Sequence, residues 1–240
     1  MNNYPDYFNN NSGRQPAVDA LDTRVSQVMK RVYLKMFLGL LVTALVSFFC
    51  AGSPAVLSFY AQHSWMIWGL FIAELVLVFA ISGGINRMQS STATALFFLF
   101  AVINGLALFP IFLVYTHVSI AKTFFITAGT FGAMSIYGFF TTKDLTRWGS
   151  FLIMALIGLI ICAVINMFWA NSTFDWIISG LGVLIFVGLT AWDTQKIKQW
   201  AATSPFEATG KLATLGALSL YLDFINLFLY LLRFFGSSRD

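Results

Sequence analysis

Charge is scarce in this chain. Asp, Glu, Lys and Arg make up 10% of its 240 residues, while hydrophobic residues make up 58% and the mean hydropathy is +0.78. Soluble domains carry about 25% charged and roughly 45–50% apolar residues, so a soluble fold is excluded. Cysteine is almost absent as well. Cys50 and Cys162 each lie inside an apolar run, where a thiol behaves as a small buried hydrophobe, and they build no disulfide framework. The two histidines, His63 and His117, fall in different polar breaks with no Cys or carboxylate at ligand spacing, so a zinc site is unsupported. A Gly-rich phosphate loop, a Gly-x-Ser-x-Gly elbow and a His-Glu-x-x-His helix are also missing, which removes the usual marks of nucleotide-binding and hydrolytic sites. No resident cofactor is expected. The net charge of +4 could suggest nucleic acid, but the 14 Lys and Arg are scattered at the ends of apolar runs and form no basic stripe.

What the chain does have is length of apolar sequence. A spanning helix needs about 20 mostly apolar residues. Seven runs meet that length, at 32–51, 64–84, 92–114, 119–140, 148–170, 176–192 and 212–235, separated by short breaks. Turn chemistry marks several breaks, as in Gly52-Ser53-Pro54, Gln89-Ser90-Ser91 and Asn171-Ser172-Thr173. The break at 194–211 is mildly polar and reads as lying along the interface. Residues 1–28, rich in Asn, Asp, Ser and Pro, read as a disordered polar tail with no signal peptide. The transmembrane domain is then 29–236, and 237–240 a short C-terminal tail. The expected fold is an all-α membrane bundle of seven helices.

Orientation follows from the basic residues. With the N-terminus inside, eleven of the 14 fall on the inner side and only Lys122, Arg233 and Arg239 on the outer. The positive-inside rule therefore puts the N-terminus in the cytoplasm and the C-terminus outside. Small residues at Ala128/Gly132 and Gly129/Ala133 have the spacing that lets helices approach closely in lipid. Pro110 is expected to kink the third span.

Ionisable residues within spans cost about 2.5–3.5 kcal/mol each at a helix centre, so each calls for a reason. Lys35 and Arg233 lie near helix ends and are expected to snorkel. Glu74, Asp193 and Asp223 remain. Ser219, Asp223, Asn226, Tyr230 and Arg233 recur at helical spacing, making a polar stripe on an otherwise Leu- and Phe-rich helix that must face protein or water. Such a stripe is either a hydrogen-bond seam or an ion or proton path. Asp193 ends the sixth run beside Lys196. Two carboxylates on consecutive helices, if they meet, favour a shared proton that titrates as a pair, which is a pH-sensing device. That meeting requires part of 212–216 to protrude inward or lie at the interface, so that Asp223 comes level with Asp193.

The segment Gly216-Ala217-Leu218-Ser219-Leu220-Tyr221-Leu222-Asp223-Phe224-Ile225-Asn226-Leu227-Phe228, with Leu231-Leu232-Arg233-Phe234-Phe235-Gly236 after it, resembles the signature of the Bax inhibitor 1 family, and 186–198 resembles that family's preceding helix. The likeness is to bacterial members. It implies six helices around a central seventh, an inner-membrane location and a pH-dependent calcium leak. In such a leak Asp193 and Asp223 are the pH sensor, Glu74 is part of the pore and Arg87 is a latch to the first aspartate; Ser219 and Asn226, from the polar stripe, are read as lining the same path. Calcium, as permeant or transiently bound ion, would meet Asp193, Asp223 and Glu74, whose hard oxygens suit it. The lipid bilayer is the other partner. The resemblance also leaves open a non-conducting regulator of a membrane-bound protease. An intramembrane aspartyl protease is a third reading, disfavoured because Asp223 stands in Leu-Tyr-Leu-Asp rather than Gly-x-Gly-Asp. The chain is not expected to be an enzyme.

Overall fold

The structure is a computed structural model that describes residues 14–63, 65–205 and 208–237. Helices α1 (Arg14–Ala51), α3 (Met66–Gly84), α4 (Ser90–Leu108), α6 (His117–Phe140), α7 (Thr146–Trp169), α8 (Ser172–Thr203) and α9 (Thr209–Phe235) run through the molecule, with short helices α2 (Pro54–Gln62) and α5 (Ile111–Val114) in the connections. Counting α4 with α5 as one crossing, seven spans among the described residues are long and apolar enough to cross a membrane.

Local chemistry sets most boundaries. Pro54 opens α2, where its missing N–H costs nothing. Pro110 separates α4 from α5, so the expected kink is a full break. Thr116 caps α6 by accepting from the Ser119 amide, and Asn171 caps α8 by accepting from the Phe174 amide.

The seventh span is central. Within its most apolar window α9 is 67% buried, against 6% for α3 and 11% for α7, so the other helices shield α9 from lipid. Its sequence explains this: Leu, Phe and Tyr alternate with Ala213, Gly216 and Ala217, giving a helix that is apolar on nearly every side and narrow enough to be surrounded.

Three expectations change. Residues 14–28 are helical: α1 begins at Arg14, and Val25 and Val28 are buried in the core. Composition misread them because the segment is mostly polar and only a few apolar positions, Val25 and Val28 among them, turn inward. The part of the tail at 1–13, and residues 238–240, lie outside the described residues. The break at 194–211 is mostly helix, since α8 continues to Thr203. Finally, Gly129 and Gly132 face open space. The close approaches of α6 and α7 to α8 are at Gly138 and Gly149, where a Cβ would collide with the Ala191 carbonyl and the Trp192 indole.

At 1.5 Å per residue, α1 (38 residues) and α8 (32 residues) measure about 57 and 48 Å, well beyond a roughly 30 Å hydrocarbon core. Both project at the same end, where the Arg24 guanidinium donates to the Ser204 carbonyl.

Candidate functional site

The α8–α9 hairpin carries the site. Its two helices run antiparallel, with Ile197 against Gly216, Phe186 stacked on Tyr230 and Trp176 edge-on to Phe234. Asp193 and Asp223 fall in this register. Residues 212–216 belong to α9, which starts at Thr209 and lies beside the last turns of α8. The rotation of α8 is set by Ala191 and Trp192, wedged into Gly138 and Gly149, which leaves Asp193 on the face turned to α9.

Both carboxylates are buried, at 8% exposure for Asp193 and 5% for Asp223. They are close enough to interact electrostatically, and Ser219 stands beside Asp193. Asp193 Oδ1 and Asp223 Oδ2 are buried without a hydrogen-bond partner. The nearby cation is Lys196, with Nζ 3.7 Å from Asp193 Oδ1, held over the Trp192 and Trp200 rings at 4.4 and 4.7 Å. Two acidic oxygens left unsatisfied in a buried site leave room in the hydrogen-bond arrangement for a proton or a cation.

Clefts of about 720 and 570 Å³ open at the projecting end. The first is lined by Asp22, Lys143, Asp144, Gln195 and Lys198, the second by Lys30, Tyr33, Ser135 and Phe139. Thr194, next to Asp193, reaches the Ser135 hydroxyl at 3.4 Å, so the second cleft ends one side chain from the aspartate helix.

The other residues singled out from sequence are dispersed. Glu74 is separate from the aspartates: its Oε1 accepts from Asn104 Nδ2 at 2.8 Å. Among the described residues no three His, Cys, Asp or Glu gather as a metal cluster, so the three acids expected to meet calcium do not share one site. The Asn226 amide donates to Leu222 O of its own helix at 2.8 Å. Arg87 is exposed, and the ion pairs among the described residues are Lys196–Asp193 and Arg233–Asp175, so Arg87 does not latch Asp193 in this conformation. Lys35 does not snorkel. Its ammonium turns inward to donate to Thr94 at 2.8 Å and Thr214 at 2.7 Å, tying α1 to α4 and α9. Arg233 bonds Asp175 at 2.6 Å and clamps the far end of the hairpin. The polar stripe of α9 thus faces α8 along much of its length.

Sequence reasoning missed a second polar seam. Tyr221 donates to Asn104 Oδ1 at 2.9 Å, and its oxygen lies 2.6 Å from Thr43 Oγ1. Thr43 in turn meets the Ala101 carbonyl at 2.8 Å. With Glu74 these residues join α3, α4, α9 and α1. Asn104 was the available signal: it is the one amide inside the 92–114 run.

A lipid-shielded central helix packed on a neighbour, with a buried carboxylate on each of the two, defines a polytopic helical membrane protein with ionisable groups inside the bundle. The chain belongs to the Bax inhibitor family: the family model described as "Inhibitor of apoptosis-promoting Bax1" matches residues 25–240. It is 45% identical over 214 residues to the inner membrane protein YbhL of Escherichia coli K12, covering 88% of this chain and 92% of that protein. A protein of Borreliella burgdorferi is 43% identical over 217 residues, covering 90% and 94%. Another, RP147 of Rickettsia prowazekii, is 41% identical over 220 residues, covering 91% and 93%.

Proposed function

We propose that the protein is a pH-sensitive, calcium-permeable leak of a bacterial inner membrane, gated by Asp193 and Asp223. The observation that carries this reading is the buried pair itself, with one unpartnered oxygen on each carboxylate. A shared proton holds α8 and α9 together there. Its loss sets two charges against each other, and either Lys196 or an entering calcium ion offsets them. Ser219, beside Asp193, completes the oxygen-rich lining. The inner-membrane location rests on the name of the Escherichia coli relative and on the seven spans, and the cytoplasmic N-terminus on the distribution of Lys and Arg.

The test is calcium flux into proteoliposomes holding the purified protein, measured across pH. The Asp223→Asn chain is expected to insert normally and to conduct without pH dependence. An unchanged pH profile removes the aspartates from gating. No flux from the unaltered protein at any pH favours the non-conducting regulator of a membrane partner.

A further inference from the structure

Hydrogen counting along the second polar seam leads to a site separate from the aspartate pair. Four contacts run in series: Glu74 to Asn104, Asn104 to Tyr221, Tyr221 to Thr43, and Thr43 to the Ala101 carbonyl, and the Thr43 hydroxyl also lies 3.1 Å from the Gly39 carbonyl of its own helix. The interior members are sealed, with Asn104 at 7%, Thr43 at 3% and Tyr221 at 0% exposure. If Glu74 is ionised, both ends of the series are acceptors. The Asn104 amide, the Tyr221 phenol and the Thr43 hydroxyl then bring three hydrogens to four contacts. Either the 2.6 Å Tyr221–Thr43 contact, or both contacts of Thr43 with the Ala101 and Gly39 carbonyls, must bring two oxygens together with no hydrogen between them.

Protonating Glu74 removes the deficit. With the Asn104 amide turned over, a change that leaves heavy-atom positions in place, the acid donates to Oδ1 and Nδ2 donates to Tyr221. Tyr221 then donates to Thr43, and Thr43 to Ala101. Four hydrogens serve the four contacts of the series, all pointing one way, with the Thr43 hydrogen shared between the Ala101 and Gly39 carbonyls.

We infer that Glu74 is a proton-binding site, occupied at neutral pH, whose proton sets the direction of a hydrogen-bond series that passes through the contact between α9 and α1 and ends at the one between α1 and α4. The group facing Glu74 from α4 is the neutral Asn104, and the titratable group facing it from α9 is the Tyr221 phenol. The ion pairs Lys196–Asp193 and Arg233–Asp175 lie elsewhere. Release of the proton reverses Asn104 and takes a hydrogen from the α1–α9 or α1–α4 contact, two positions from Asp223 on the central helix. The inference stands whether or not the protein conducts calcium.

The chain has two glutamates, Glu74 and Glu207, so carboxyl ¹³C-glutamate labelling isolates them from every aspartate. Infrared spectra of the labelled, unaltered protein in liposomes at neutral pH should contain one carboxylic-acid carbonyl band. That band should persist in Glu207→Gln and vanish in Glu74→Gln. In Asn104→Leu it should shift to higher frequency, because the acid loses its acceptor, a change that a merely structural Asn104 would not cause. Finding only ionised glutamate in the unaltered protein, or an acid band that disappears with Glu207 instead, overturns the proposal. Because the decisive spectrum is of the unaltered chain, a variant that fails to fold does not blunt the test.

Discussion

Asp144, in the turn between α6 and α7, accepts from the Thr146 amide at 2.9 Å and the Thr146 hydroxyl at 2.6 Å, and so begins α7. The hydroxyl first, and the amide after it, hold its carboxyl below the usual carboxylate range. Because the folded value is depressed, the stabilisation is present above about pH 4 and is lost as pH falls through the folded value. Asp144 is fully exposed, so solvent screens the effect. A carboxyl NMR titration is expected to give a midpoint below the ordinary value near 3.9, and Thr146→Ala should raise it. A midpoint unmoved by that substitution would falsify the assignment. Single residues differ in how openly sequence announces them. Asp193 and Asp223 stand out because an ionisable group in an apolar run demands a partner. Thr43, Asn104 and Tyr221 do not, since neutral polar groups are cheap enough to occur in spans for many reasons. The destination of Lys35 depends on Thr94 and Thr214, 59 and 179 positions away, and no local pattern encodes that.

Helix α6 shows why spacing alone misplaced the tight packing. Its buried residues Thr123, Thr127, Phe131, Ser135 and Gly138 form one face. Gly129 and Ala133 are exposed on another, so their small-residue spacing meets no helix. A motif of two small residues states that close approach is allowed on a face, whereas the larger neighbours decide which face turns inward. Gly138→Ala is therefore expected to force α6 from α8 at Ala191 and to destabilise the bundle by about 1–3 kcal/mol. Gly129→Ala should be neutral or stabilising by up to about 1 kcal/mol, since alanine is the better helix former and nothing stands in its way. Thermal unfolding in one detergent compares them. Equal effects would mean that the α6–α8 approach is not as close as Gly138 indicates. The same wedge orients Asp193, so Gly138→Ala should also alter the pH profile of flux, whereas Gly129→Ala should not.

At the scale of the molecule, the count and order of spans were legible because each span is a long apolar run, and α9 could be placed at the centre only through the family resemblance. The reach of α1 and α8 beyond the membrane was not legible, because an amphipathic extension loses the continuous apolar signal that marks a span. The contacts at the two ends of α1 nonetheless place the described ends of the chain relative to each other. Arg24, early in α1, meets Ser204 at one end of the bundle. Phe48, near the close of α1, meets Phe112 and His117 at the other, and there the Ser237 amide donates to Ser119 while its carbonyl accepts from Thr116. The described chain thus begins and ends at opposite ends of the bundle, and α9, with 27 residues and about 40 Å of length, is long enough for a full crossing. A reporter fused at Met1 is expected on the cytoplasmic side and one fused after Asp240 on the other, each read by an enzyme active in one compartment only. Both reporters on one side would make α9 re-entrant, and Asp223 would then sit at the turn of a hairpin, not on a helix held level with Asp193. Opposite sides in the reverse sense would leave the bundle intact and move the projecting ends of α1 and α8, with both clefts, out of the cytoplasm. The sense of that result therefore decides which compartment's pH reaches the aspartates through the clefts at the projecting end.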